Sequence, residues 1–178
     1  MLFRSVSSLS IRVGGDELDQ AIINWVKREF SLMLGERTAE EIKMAIGSAY
    51  PLRDEPDAEI RGRDIATGLP KTIVVSSEDI RKALEEPVTA IINAVKGTLD
   101  RTPPELAADL LDRGIVLTGG GALLKGLDER LRHETNMPIH IAERPLLAVV
   151  EGSGKCVEEF EALEDRKSTR LNSSHTDI

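Results

Sequence analysis

The stretch "RGIVLTGGGALLKGL", residues 113–127, constrains the fold more than any other part of the chain. A short apolar run at residues 114–117 ends in Gly119, Gly120 and Gly121 and passes at once into a helical pattern. A strand that turns through glycine into a helix is the joint of an α/β architecture. Three glycines cost backbone entropy and bring no side chain to pack. Bare main chain is therefore required here, either for a tight turn or for a ligand held close to the backbone. Free amides and the positive end of a helix dipole would suit a phosphate. The spacing fits neither the dinucleotide fingerprint nor the P-loop, which needs Gly-Lys-Ser or Gly-Lys-Thr. Both explanations stay open. Lys125 could reach a phosphate from the first helical turn, or it could lie in solvent.

The rest of the chain alternates strands and helices around this joint. Residues 10–13 read as the end of a strand, and Asp16 as the cap of a helix carrying Leu18, Ile22, Trp25, Val26 and Met33, stopped by Gly35. Thr38 with Glu41 forms a capping box for a second helix carrying Ile42 and Ile46 and closed by Gly47. Residues 50–56 read as a loop. "AEIRGRD" and "KTIVVSS" flank the turn "IATGLP" as a hairpin. Ser76 or Ser77 then caps a long periodic stretch of Ile80, Leu84, Val88, Ile91, Val95 and Leu99, which Pro87 should kink or divide. "TPPE" places Thr102 as cap and Pro103 at the first helical position of a helix ending near Arg113. A further helix spans about residues 124–133, "PIHIA" is a short strand, and Pro145 starts a last helix broken near Gly152 and Gly154. The fold class is α/β, with a small α+β insertion at about residues 37–77.

Several chemistries are excluded. A formal charge of −8 gives no basic face for nucleic acid. No apolar run approaches the roughly 20 residues of a membrane span, and residues 1–9 lack the apolar region of a signal peptide. A single cysteine, Cys156, permits no internal disulfide and fits a reducing compartment. His133, His140 and Cys156 lack metal-ligand spacing, and no set of nucleophile, base and orienting residue emerges. Aromatics are only 3% of residues, so aliphatic side chains must fill the core, with Trp25 and Phe30 in the core or at an interface. Glu40 and Lys43 lie three apart on one helical face. They form either a surface ion pair or an acceptor and donor for the two hydroxyls of a ribose.

The two ends are related to each other. Codons for Asp165 to Thr169, GAT CGG AAG AGC ACA, have a reverse complement containing GTG CTC TTC CGA TC, which reads Met-Leu-Phe-Arg-Ser, the first residues of the chain, when GTG is the start codon. Residues 1–5 and the polar, aperiodic tail 165–178 are therefore expected to be adapter-derived. Residues 6–164 would be the natural segment, truncated on both sides, with 19 basic and 29 acidic residues and a net charge of −10.

The motifs "RVGGDELDQAIINWVK", "GERTAEEIKMAIGSAYP", "RGRDIATGLPKTIVVSSEDIRKALEEP", "RTPPELAADLLDRGIVLTGGGALLKGLDERL" and "ERPLLAVVEGSGK" together resemble the second half of the bacterial actin MreB family, collinearly over nearly all of residues 6–163. The resemblance implies an actin-like ATPase fold of the ribonuclease H-like kind, represented by two subdomains only. Residues 6–36 and 78–164 would form subdomain IIA, and residues 37–77 subdomain IIB. It also implies ATP as cofactor, with magnesium on a phosphate side lying mostly in the other half. Glu40, Glu41, Ile42 and Lys43 would line the ribose side. Gly119, Gly120 and Gly121 would approach the phosphates and ribose, while Ala122 and Leu123 border the adenine.

Expected partners are further copies of the protein in protofilaments, the membrane-anchored protein RodZ, the cell-wall elongation machinery, and the inner membrane through the other half. The implied role is maintenance of rod shape through lateral wall synthesis, from the cytoplasm at the inner face of the membrane. Glu158, Glu159 and Glu161 could meet a basic partner face. The family's phosphate loops and water-positioning acid would precede residue 6, so no catalytic residue is assigned. An Hsp70-type chaperone ATPase of the same superfold is the alternative. A carbohydrate kinase would need a catalytic aspartate that cannot be placed, and an interaction domain without nucleotide would leave Glu40 and Lys43 turned from the glycines.

Overall fold

The computed structural model describes residues 6–158. The adapter expectations at residues 1–5 and 165–178, together with Glu159 and Glu161, lie outside the described residues. Six helices carry most of the structure. They are α1 (Gly15–Phe30), α2 (Glu36–Ile46), α3 (Ser77–Asp100), α4 (Pro104–Arg113), α5 (Leu127–Thr135) and α6 (Ala148–Glu158). Strands β1 (Leu32–Met33), β2 (Asp57–Asp64) and β3 (Pro70–Ser76) form one antiparallel sheet in that order. β4 (Ile115–Leu117) and β5 (Ile139–Ile141) pair in parallel, with Ile115 opposite Ile139, and the glycine turn and α5 make the crossover.

Aliphatic periodicity builds the core, as the scarcity of aromatics demands. Leu18, Ile22 and Val26 of α1 are buried, and they belong to one cluster with Ile42 and Ile46 of α2, Ile80, Leu84 and Val88 of α3, and Ile60 and Val75 of the sheet. Trp25 and Phe30 meet edge to face, with centroids 5.6 Å apart, at the margin of that cluster.

Several local expectations shift. Residues 8–13 form no strand, and Leu9 and Ile11 are exposed. A strand exists only by pairing, and no described strand lies beside them. Asp16 sits in the first turn of α1 and favours its dipole, but Gly14 is the cap position. α1 stops at Ser31 in the left-handed region (φ 53°), not at Gly35, because the chain must turn there to lay Leu32 beside Asp64. Met33 is consequently an exposed strand residue. Gly35 instead precedes α2, which places Thr38 inside the first turn and leaves Glu41 to accept from Arg37 Nε at 3.0 Å. The Thr38–Glu41 capping box does not form.

α3 is a single helix of 24 residues through Pro87. The proline removes one backbone bond, and burial of Leu84, Pro87, Val88 and Ile92 against the core holds the helix together. The buried seam runs through Ile92, with Ile91 half-buried. Ser76 caps α3 in a reciprocal box with Asp79. Pro103 caps α4 and Pro104 occupies its first turn. Thr102 is turned backward, its hydroxyl donating to the Thr98 carbonyl at 2.9 Å. α5 starts at Leu127 after the left-handed Gly126. α6 continues through Gly152 and Gly154, since neither has a positive φ and glycine in a helix costs only about 1 kcal/mol.

The hairpin turn rests on one carboxylate. Asp64 Oδ1 accepts from the amides of Ala66 (3.0 Å) and Thr67 (2.9 Å) and from Thr67 Oγ1 (3.1 Å), while Lys71 Nζ donates to Oδ2 at 3.2 Å. The Thr67 amide first, then Lys71, hold this carboxyl at about 2, below its ordinary 3.8. A depressed carboxylate stabilises the fold above its unfolded value and loses that contribution as pH falls through the folded one. The turn should thus stay closed at pH 4 and open on approach to pH 2. Amide shifts of Ala66 and Thr67 should titrate with a midpoint near 2, and a midpoint near the ordinary carboxylate value would contradict this.

Candidate functional site

α2 packs Ile42 and Ile46 into the core, which turns Glu40 and Glu41 toward solvent and leaves Lys43 at the boundary. The Ile42 side chain is thus committed to packing. Glu41 is held in an exposed pair with Arg37. The partner of Lys43 is not Glu40 but Asp19 on α1. The two are 2.9 Å apart, with side chains 14% and 13% exposed. Lys43 Nζ donates to Asp19 Oδ2 at 2.9 Å and to the Gly15 carbonyl at 3.2 Å. Oδ1 lies equally close to the ammonium but is buried without a hydrogen bond of acceptable geometry.

The glycine segment resolves into distinct roles. Gly119 has φ 84° and ψ 176°, a region that side chains other than glycine's hydrogen rarely enter. Gly120–Leu123 form a single 3₁₀ turn, and neither Gly120 nor Gly121 has positive φ. A Cβ at Gly121 would meet nothing within 4 Å, and one at Gly120 would meet only Leu146 Cδ2 at 3.6 Å. Tight-turn geometry therefore accounts for Gly119 alone. Ala122 is buried beneath the turn and Leu123 is exposed on it. The Gly119 amide donates to the Pro145 carbonyl at 2.8 Å, so the segment around Pro145 and Leu146 closes over the turn.

Lys125 is exposed, yet its side chain is tied to the protein. Its ammonium donates to the Ala45 carbonyl near the end of α2, while its own carbonyl accepts from the Ala49 amide at 2.8 Å. Ser48 and Lys125 also form a parallel bridge. The structure thus ties the exit of the glycine turn directly to the C-terminal end of α2, about 80 residues earlier in sequence. Glu40 remains exposed and Lys43 faces the start of α1. Asp19 and Leu146 carry no local signal, and Pro145 reads as a helix start although α6 begins at Ala148, because their significance lies in partners distant along the chain.

Among the described residues there is no group of three or more His, Cys, Asp or Glu that could hold a metal ion, and no helix is long and apolar enough to cross a membrane. Glu158 ends α6 and is exposed.

The family model described as "MreB/Mbl protein" matches residues 2–165. The chain is 49% identical over 161 residues to the cell shape-determining protein Mbl of Bacillus cereus, covering 90% of this chain and 48% of that protein. It is 50% identical over 153 residues to the cell shape-determining protein MreB of Escherichia coli K12, covering 86% and 44%. Among solved structures, MreB5 of Spiroplasma citri bound to ADP superposes with a TM-score of 0.86 at 36% identity, over 90% of this chain and 49% of that one. The MamK double helical filament superposes at 0.63 and 22% identity, over 78% and 42%, which shows the shared fold alone. The chain thus spans about half the length of the curated relatives it matches. Its fold is the actin-like one, and the chaperone alternative is not favoured. Sequence motifs, crossover geometry and these likenesses agree that the chain belongs to the MreB/Mbl family.

Proposed function

We propose that this chain supplies one wall of the nucleotide cleft in a bacterial actin-like cytoskeletal protein that maintains rod shape by organising lateral wall synthesis. The observation that carries the reading is at Gly120 and Gly121. Their backbone is ordinary and the space before them is open or bordered only by Leu146. The fold itself does not demand glycine there, whereas a ligand lying against the main chain does. The relatives bound to ADP and AMPPNP support the same assignment.

In this reading residues 6–36 and 78–164 form one subdomain and 37–77 the other. Glu40 accepts from a ribose hydroxyl, and Glu41 flanks it on the exposed face of α2. Ile42 fixes that helix by its packing. Lys43, with donors already directed to Asp19 and Gly15, holds the start of α1 against α2 beside the ligand. Gly119 to Gly121 admit the phosphate and ribose, and Ala122 and Leu123 border the base. ATP bound with magnesium would supply the cleavable phosphoanhydride. The phosphate-side groups would come from the remaining length of the full protein.

Self-association into protofilaments, engagement of RodZ and the wall-elongation machinery, and placement at the inner face of the cytoplasmic membrane belong to this proposal for the whole protein. The test is ADP affinity of the full-length protein carrying Gly120→Val. A branched side chain would occupy ligand space and press on Leu146, and affinity should fall at least roughly tenfold without loss of folding. Equal affinity for variant and parent, both folded, would refute the assignment.

A further inference from the structure

Two fully buried hydroxyls, Ser48 in the loop between α2 and β2 and Ser77 at the start of α3, are not used by the nucleotide reading. Their hydrogen bonds have a fixed direction. Ser77 Oγ donates to the Ile46 carbonyl at 2.7 Å, the last carbonyl of α2 and one without an intrahelical partner. A hydroxyl has one proton. The 3.2 Å contact between Ser48 Oγ and Ser77 Oγ must therefore run from Ser48 to Ser77. Ser48 is left to accept, and Arg81 Nη1 on α3 donates to it at 3.1 Å. The chain of bonds begins at a guanidinium and ends at the C-terminus of α2, and a charged donor at its head strengthens it.

The same Arg81 nitrogen lies 2.9 and 3.2 Å from the two Glu55 oxygens and 3.4 Å from the Tyr50 carbonyl. Glu55 in turn accepts from the Leu52 amide at 3.0 Å. Nη1 has two protons to share among these acceptors, so its bonds are partly bifurcated, and one side chain on α3 spans the loop at Ser48, Tyr50 and Glu55. Of these, Ser48 bridges to Lys125, and Ala49, held between Ser48 and Tyr50, donates its amide to the Lys125 carbonyl at the exit of the glycine turn. Gly126 closes the joint from the other side. A Cβ there would stand 2.9 Å from Tyr50 Cβ, and its φ is +72°.

We infer that Arg81 is a positioning residue for the nucleotide wall: through Ser48 and Ser77 it fixes the glycine turn relative to α2 without touching the ligand. The inference rests on the proposed nucleotide site for its consequence, but its mechanical content stands apart. An arginine that merely stabilised the fold would affect all protected amides alike. A positioning arginine controls two segments selectively, residues 47–50 and 122–127.

Hydrogen exchange on the full-length protein, which holds both walls of the cleft, separates the two. In Arg81→Ala, exchange at Ala49 and across residues 122–127 should quicken roughly tenfold, while the buried amides of α1 stay protected as in the parent. Ser48→Ala removes only the link and little volume. It should reproduce that pattern while Arg81 keeps Glu55, and it decides the matter if Arg81→Ala fails to fold. Arg81→Lys should recover part of the protection, since an ammonium can serve Ser48 but lacks the planar fork. Acceleration confined to residues 50–56, or spread evenly into α1, would overturn the inference. ADP added to the parent should slow exchange at residues 119–123. If it does not, while the variants still respond as described, the nucleotide reading fails and the positioning role stands.

Discussion

Gly114→Ala is expected to cost about 3 kcal/mol of stability and to dissolve the pairing of β4 with β5. Gly114 joins α4 to β4 at φ 75° and ψ −170°, where an L side chain is strained whatever the space around it. Space is also lacking. The added methyl would collide with the Pro138 carbonyl oxygen and stand 2.9 Å from Pro138 Cβ. That carbonyl cannot retreat freely, because it accepts from the Ile115 amide at 2.8 Å and so sets the register of Ile115 against Ile139. Strain of about 1–3 kcal/mol and a lost bond of about 1 kcal/mol act on the same few atoms. The glycine turn leaves from the far end of β4, so the site would be lost with the strand. Urea denaturation measures the effect, with Gly121→Ala as the comparison. That methyl enters open space at an ordinary φ and should shift stability by less than about 0.5 kcal/mol. Similar midpoints for the two variants would contradict the account.

Lys43→Ala is expected to cost about 3 kcal/mol, far more than the trimming of a surface lysine. Asp19 is largely buried, and its Oδ1 lies 2.9 Å from the Lys43 ammonium without any hydrogen bond. Removing the ammonium leaves a carboxylate in the interior without its counter-charge, which is the costly way to break such a pair. Replacing both partners, as in Asp19→Leu with Lys43→Met, should recover most of the loss, since the space is refilled and no charge is stranded. A double-mutant cycle on folding stability should show coupling of about 2 kcal/mol. Coupling near zero would mean that the pair contributes no more than an exposed one. Any fall in nucleotide affinity for Lys43→Ala must accordingly be judged against its stability, whereas Gly120→Val tests the ligand space directly.

What the sequence determined by itself was whatever a few neighbouring residues settle. Alternating side chains around "IATGLP" specify the hairpin, because pleat and turn chemistry act within a dozen residues or so. Ser76 or Ser77 marks the start of α3, the structure choosing Ser76, and the spacing of Ile80, Leu84 and Val88 its buried stripe. The order of motifs across the chain also identified the family, since collinear matches accumulate along the chain without any knowledge of contacts. Tertiary structure decided the rest. Residues 10–13 have strand-like composition but no strand beside them among the described residues, and pairing is a property of two segments. Lys43 reads as a partner of Glu40 or a ribose donor, and Lys125 as a phosphate contact or a solvated side chain. One is instead drawn to Asp19 and the other to the Ala45 carbonyl, from partners 24 and 80 residues away. Nor could three consecutive glycines show which of them the backbone requires. That depends on φ at Gly119 and on the atoms facing Gly120 and Gly121. Local patterns record the preferences of a segment, while a charge or an orphan carbonyl is satisfied by whatever the packed core brings within about 3 Å of it.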